Sequence, residues 1–241
     1  MPRRLWVLTT KEELSTVSHP GIMVVMDVLL ATTTILAAVE NGAQEVRVRA
    51  NLEEALALRR ERGPLVILGG EQDGMNQHLF DFDHHPRRYR AEAVRGKTVL
   101  YVSTNGTRAL EDAAKTQNPV LVSCLRNAPA TARYLRRQPW NDLYLVCAGS
   151  RRQLSLEDFL CAGVILSELS AEDAWRNDAA LVAEAMAQQP DVSRWLYRGR
   201  VGRWLVDLGW SDAVQYAGEV GASETVLRLD GDQVVPIALP D

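Results

Sequence analysis

Strand-like and helix-like segments alternate from about residue 22 to residue 170, and no other feature constrains the fold as strongly. Ile22 to Asp27 is an apolar run of strand length. Ala31 to Glu40 then reads as a helix, with a stop at Asn41-Gly42. Glu45-Val46-Arg47-Val48-Arg49 alternates polar and apolar, the period of a half-buried strand. Asn51 caps a helix with Leu52, Ala55, Leu56 and Arg59 on one face, and Gly63-Pro64 ends it. The runs Leu65–Leu68, Thr98–Val102, Val120–Val122 and Leu143–Cys147 are further strands. Helices are expected from Arg108 to Lys115, from Asn127 to Arg137 and from Ser155 to Leu169. Such alternation predicts an α/β protein with three layers, α/β/α, around a mainly parallel or mixed central sheet. Leu5–Thr9 adds a short strand. Val226–Leu229 and Val234–Ile237 flank the turn Asp230-Gly231-Asp232 as a closing hairpin. The segment from Ala171 to about Tyr216 has a helical pattern. The reading is one domain over residues 1–241, with a candidate helix-rich subdomain from about 171.

Ligands in such folds sit at the carboxyl ends of the strands, and the polar motifs fall there. Asp27 ends an apolar run and precedes Thr32-Thr33-Thr34 at a helix start. A carboxylate at a strand end can hold a divalent cation. Hydroxyls and free N–H groups at a helix start can hold an anion. Gly70-Glu71 follows another strand. Ser103-Thr104-Asn105-Gly106-Thr107 joins a strand to a helix, where small residues let backbone N–H groups approach an anion. Ser155-x-x-Asp158 resembles a capping box, and Glu157 or Asp158 could face Asp27 and share a cation. Magnesium suits one or two carboxylates completed by substrate oxygens and water. Each motif also has a plain structural reading: a buried strand with an edge Asp, a tight turn, a helix cap.

The loop from Gly69 to Pro86 holds the densest ligand-like cluster, His78, Asp81, Asp83, His84 and His85. Zinc or manganese there is one reading, and solvated loop residues the other. Several phosphatase types are excluded. Ala130, Gln153 and Ser167 stand where a cysteine-phosphatase loop places its arginine, Leu29 stands where an aspartyl-phosphate hydrolase needs a second Asp, and no GxxxxGK[ST] loop occurs. Net charge is −4 and the pI about 5.7, which argues against a general nucleic-acid or anionic-membrane binder. No apolar run reaches bilayer length, and a cytoplasmic protein is expected. Cys124, Cys147 and Cys161 have no metal or redox spacing and are expected to be reduced and buried.

Taken together the motifs resemble the 2-phosphosulfolactate phosphatase family. The matching pieces are Asp27-Val28-Leu29 with Ala31-Thr32-Thr33-Thr34, Glu40-Asn41-Gly42-Ala43, Gly70-Glu71, Phe80-Asp81 with Pro86, Ser103 through Leu110, Asn127-Ala128, and Cys147-Ala148-Gly149 with Leu156-Glu157-Asp158 and Ala162-Gly163. They occur in order over roughly residues 22 to 240. The resemblance implies an α/β/α fold and a magnesium-dependent phosphatase acting on 2-phospho-3-sulfolactate, a step towards coenzyme M. Leu30 and Gln72 stand where the family carries arginines, and Asp83-His84-His85-Pro86 replaces its Gly-Asn-Ser-Pro. Arg108, Arg126, Arg151 and Arg152 are candidates to compensate.

The expected site follows. Asp27, Glu71 and Asp158 are the catalytic and magnesium-binding carboxylates. Thr32, Thr33, Thr34, Ser103, Thr104, Asn105, Gly106, Thr107 and Arg108 hold a small anionic phosphomonoester. No nucleic-acid or membrane partner is expected, and a homo-oligomer stays open. Two other readings remain: a family member without turnover that serves as a ligand-binding or regulatory protein, and a metallohydrolase built on the histidine cluster.

Overall fold

A computed structural model describes residues 3–74, 78–171, 173–189 and 191–238. Ten strands form one sheet: β1 (Arg4–Leu8), β2 (Ile22–Met26), β3 (Glu45–Arg49), β4 (Val66–Gly70), β5 (Thr98–Val102), β6 (Val120–Ser123), β7 (Asp142–Cys147), β8 (Trp175–Arg176), β9 (Leu227–Asp230) and β10 (Gln233–Pro236). Nine α-helices accompany them among the described residues: α1 (Ala31–Glu40), α2 (Leu52–Arg62), α3 (Ala91–Val94), α4 (Gly106–Lys115), α5 (Ala128–Arg136), α6 (Leu156–Leu169), α7 (Asp178–Ala187), α8 (Arg200–Asp207) and α9 (Ser211–Ala217). The chain is an α/β protein with a mixed, mainly parallel central sheet, as its alternation predicts.

Local chemistry sets both ends of α2. The Asn51 side chain accepts the N–H groups of Glu53 at 2.8 Å and Glu54 at 3.4 Å, which starts α2. Gly63, at φ +86°, ends it in a conformation that side chains disfavour. The pleat then divides the apolar residues between two faces. Val66, Leu68, Leu100 and Val102 join Ala55 of α2 in a small cluster with Phe80. Ile67, Val99 and Tyr101, their neighbours along the same strands, belong to the main core. That core runs through β2, β7 and the apolar helix α6, and holds all three cysteines as free thiols.

The sheet order is β4-β5-β3-β10-β9-β6-β2-β7-β1-β8. β4, β5 and β3 are mutually parallel, and so are β6, β2, β7, β1 and β8. The hairpin β9–β10 lies between these blocks and pairs antiparallel with both β3 and β6. The two blocks therefore run in opposite senses. The hairpin foreseen at the end of the sequence exists, but at the centre of the sheet. Strands in a sheet rotate by roughly 20–25° per step, so the steps from β5 to β2 accumulate on the order of 100°. This rotation lets the carboxyl ends of β5 and β2 meet at one corner: a Cβ built on Gly106 of α4 would lie 2.7 Å from Asp27.

The segment after residue 171 is less helical than its pattern suggests. It contributes β8, α7 against α6 and β1, and the short helices α8 and α9 joined by turns. Among the described residues no helix is long and apolar enough to cross a membrane.

Candidate active site

A cavity of about 710 Å³ opens where these strand ends converge. Asp27 lines it, carried just past the buried strand β2. The turn behind it is held by threonines. Thr32 donates its hydroxyl to the Asp27 carbonyl at 2.9 Å, Thr33 to the Val28 carbonyl at 2.8 Å, and Thr34 to the His84 carbonyl at 2.8 Å. All three are buried, and none lines the cavity. Their hydroxyls shape the turn rather than face a ligand.

The β5–α4 connection meets Asp27 from the other block. Ser103 and Thr107 cap α4 reciprocally: the Thr107 N–H donates to Ser103 Oγ and the Ser103 N–H to Thr107 Oγ1, both at 3.0 Å. Ser103, Thr104 and Asn105 line the cavity, whereas Thr107 is buried behind them. Gly106 opens α4 beside Asp27. A Cβ there would come within 2.6 Å of the Ala31 Cβ, so only glycine permits this approach. Arg108 points outward, exposed and off the cavity wall.

Glu71 lines the cavity and is firmly oriented. It accepts the Thr104 N–H at 2.5 Å, the Thr104 hydroxyl at 2.8 Å and the Gly74 N–H at 2.6 Å. Asp158 takes a different place from the expected one. Its carboxylate accepts the Val28 N–H at 2.8 Å and the Gly149 N–H at 3.2 Å, bracing the ends of β2 and β7, and it is not part of the cavity wall. Its neighbour Glu157 is the carboxylate that lines the cavity, with Oε2 buried and without a hydrogen-bond partner among the described residues.

These placements set the electrostatics. Burial, then the charges of Glu71 and Glu157, push the Asp27 carboxyl up to about 7, against the opposing pull of Lys11 and the Gly106 N–H. Burial pushes Glu157 up to about 7, with its own N–H and Arg200 pulling down. Asp158 is raised by burial first and by Asp27 and Glu157 second. Among the described residues no group of three or more His, Cys, Asp or Glu is gathered closely enough to hold a metal. Asp27, Glu71 and Asp158 thus do not form a shared ligand set.

Cations arrive from places the motifs did not indicate. Lys11, in the 3-10 turn Lys11–Thr16 after β1, donates to Asn105 Oδ1 at 3.1 Å and to the Ala148 carbonyl at 3.3 Å. Arg200, at the start of α8, donates to Ser150 at its carbonyl (3.1 Å) and hydroxyl (3.3 Å). Arg151 and Arg200 both line the cavity, as does Leu30. Of the other candidate arginines, Arg126 is engaged with Glu219 and the Tyr216 carbonyl, and Arg108 and Arg152 lie off the wall. Lys11 and Arg200 carry no local signature, since only the tertiary fold brings them to the site.

The histidine cluster separates. His78 is exposed. His85 contacts Asp212 at 3.2 Å through Nε2 and accepts the Arg87 N–H through Nδ1. Asp81 accepts the Leu68 N–H and an Arg59 guanidinium. His84 alone lines the cavity, with Tyr101 and Trp204.

This arrangement can be compared with known proteins. A family model described as 2-phosphosulpholactate phosphatase matches residues 8–232. Three similar proteins are each named probable 2-phosphosulfolactate phosphatase. That of Symbiobacterium thermophilum is 37% identical over 219 residues, covering 89% of this chain and 93% of its own. That of Deinococcus radiodurans is 36% identical over 224 residues, covering 92% and 93%. That of Gloeobacter violaceus is 36% identical over 214 residues, covering 87% of each. The match spans both blocks of the sheet and every segment that lines the cavity, and the chain belongs to the 2-phosphosulpholactate phosphatase family.

Proposed function

We propose that this protein hydrolyses 2-phosphosulfolactate, or a closely related small phosphomonoester, with magnesium as its cofactor. The observation that carries the reading is the meeting of Asp27 with the start of α4 at the floor of a cavity that also presents Glu71 and Glu157. The names of the relatives supply the substrate to test first.

Two carboxylates of the cavity suit a hard divalent cation completed by water and substrate oxygens. Asp27, Glu71 and Glu157 line one cavity, burial first and then the other two carboxylates raise Asp27, and Glu157 keeps a buried oxygen without a partner among the described residues. Asp27 and Glu157 would hold magnesium, with the rest of its shell from water and substrate, as that ion prefers. When bound, it supplies neutralisation of the phosphoryl oxygens and activation of water.

The protein's own groups do the rest. The positive end of the α4 dipole favours the phosphate dianion, while its first N–H groups are used within the protein, Thr107 on Ser103 Oγ and Gly106 on Asp27. Glu71, immobilised by Thr104 and Gly74, keeps the Ser103–Asn105 segment in place. Lys11 balances charge beside Asp27 and ties Asn105 to the end of β7. Arg151 and Arg200 face the substrate's remaining negative charge from the mouth.

Phosphate release from 2-phosphosulfolactate, with magnesium and with EDTA, tests the reading. Release is expected with magnesium only, falling by about a hundred- to a thousandfold in Asp27→Asn, the scale on which loss of one central electrostatic group acts. One observation favours a second reading: Leu30 occupies the cavity wall at a position where an arginine is expected. Magnesium-dependent binding of the ester without phosphate release would identify a ligand-binding protein instead.

A further inference from the structure

His84 and His85 are adjacent, yet the structure treats them in opposite ways. Both nitrogens of His85 have partners, Asp212 and the Arg87 N–H. Neither nitrogen of His84 has a partner among the described residues, although the residue is 5% exposed. A buried imidazole is ordinarily oriented through a hydrogen bond at one nitrogen. His84 is oriented by other means. The Thr34 hydroxyl holds its carbonyl at 2.8 Å. The Trp204 ring lies parallel to the imidazole within 5°, with centroids 6.5 Å apart, and the Trp210 ring is tilted against it at 4.9 Å.

An imidazole fixed by stacking, without partners and on a cavity wall, has its hydrogen-bonding capacity reserved for something that enters the cavity. Trp204 and Tyr101 line the same wall. Burial holds the His84 pKa below its ordinary value, although Glu71 and Asp83 pull the other way. The neutral ring offers one N–H and one lone pair, and can meet an anionic oxygen without adding charge to the site.

We propose that His84 is a specificity-determining residue whose ring nitrogen hydrogen-bonds an oxygen of the carboxylate or sulfonate on the organic portion of the phosphomonoester. This rests on the phosphatase reading for the identity of the ester. The role belongs to recognition of the substrate's body, and Asp27 and the start of α4 keep the phosphate.

The test compares wild type with His84→Phe, which keeps a stacking ring without nitrogen, and His84→Gln, which returns a donor near the Nε2 position. Binding of 2-phosphosulfolactate with magnesium is measured by calorimetry, and phosphate release gives KM and kcat separately. The expected result is about a tenfold weaker Kd and higher KM in His84→Phe at little-changed kcat, the effect of one hydrogen bond to a charged group. His84→Gln recovers to within about threefold of wild type. The proposal is overturned if His84→Phe matches wild type, if it lowers kcat at unchanged KM, or if wild type does not bind 2-phosphosulfolactate. The two readings fail separately. Binding weakened in His84→Phe without phosphate release from wild type removes hydrolysis and keeps the His84 contact. Phosphate release unchanged in His84→Phe does the reverse.

Discussion

At the scale of single residues, the site is a place where carboxylates are held against their preference. Asp27 and Glu157 titrate near 7 in the fold, whereas a free carboxyl titrates near about 4. Between those values the folded protein retains protons that the unfolded chain has released. The metal-free fold therefore has no penalty below about pH 4 and the full penalty above about pH 7. Its melting temperature in EDTA should fall from pH 5 to pH 8, and magnesium should raise it more at pH 8 than at pH 5. Thermal denaturation at the two pH values checks this, and an equal magnesium shift at both contradicts it. The place of Asp27 at the end of a buried strand was legible in the sequence, because it closes an apolar run of strand length. The choice between Glu157 and Asp158 was not. Adjacent residues on a helix point about 100° apart, and only packing of α6 decides which one meets the cavity. Arg200 is invisible for a related reason, since nothing near it in sequence resembles a site.

At the scale of elements, the turn from β2 into α1 is built from side chain to backbone. The three threonines were expected to cradle an anion, and the fold uses each hydroxyl on a carbonyl instead. Hydroxyls in a buried first turn have no water to satisfy them, so nearby carbonyls capture them. Thr33→Val, which keeps the shape and deletes the bond to the Val28 carbonyl, should therefore destabilise the protein by about 1–3 kcal/mol. KM measured well below the melting temperature should stay close to wild type. Denaturant unfolding together with steady-state kinetics separates these effects, and a raised KM at unchanged stability would restore the anion-cradle reading. The Ser155-x-x-Asp158 pattern misled in a similar way. Ser155 makes no side-chain cap, and Asp158 bonds across to β2 and β7, partners that local spacing does not reveal.

At the scale of the whole molecule, strand and helix order were readable from periodicity, while strand adjacency was not. The alternating pattern reports which residues are covered, and it carries no information about which strand lies beside which. The hairpin was visible as two runs about a turn, but its position between β3 and β6 depends on pairs such as Gln233 with Arg47 and Leu121 with Arg228. Val234, 2% exposed on β10, tests that position. A charge placed there should destabilise by roughly 3 kcal/mol or more, as an unpaired buried charge does. In Val234→Asp, native-state hydrogen exchange should rise in both β3 and β6. Faster exchange confined to the hairpin would show that the two blocks hold together without it.

The central hairpin also imposes an order on biosynthesis. Both parallel blocks leave the ribosome long before residues 227–236, and each then exposes an unpaired inner edge, β3 in one and β6 in the other. Exposed strand edges invite pairing between chains. The nascent protein is therefore most prone to aggregate in the interval before residues 227–236 emerge. Chaperone demand should peak just before the hairpin emerges, and a pause in synthesis there should lower the yield of native protein more than a pause at any earlier codon.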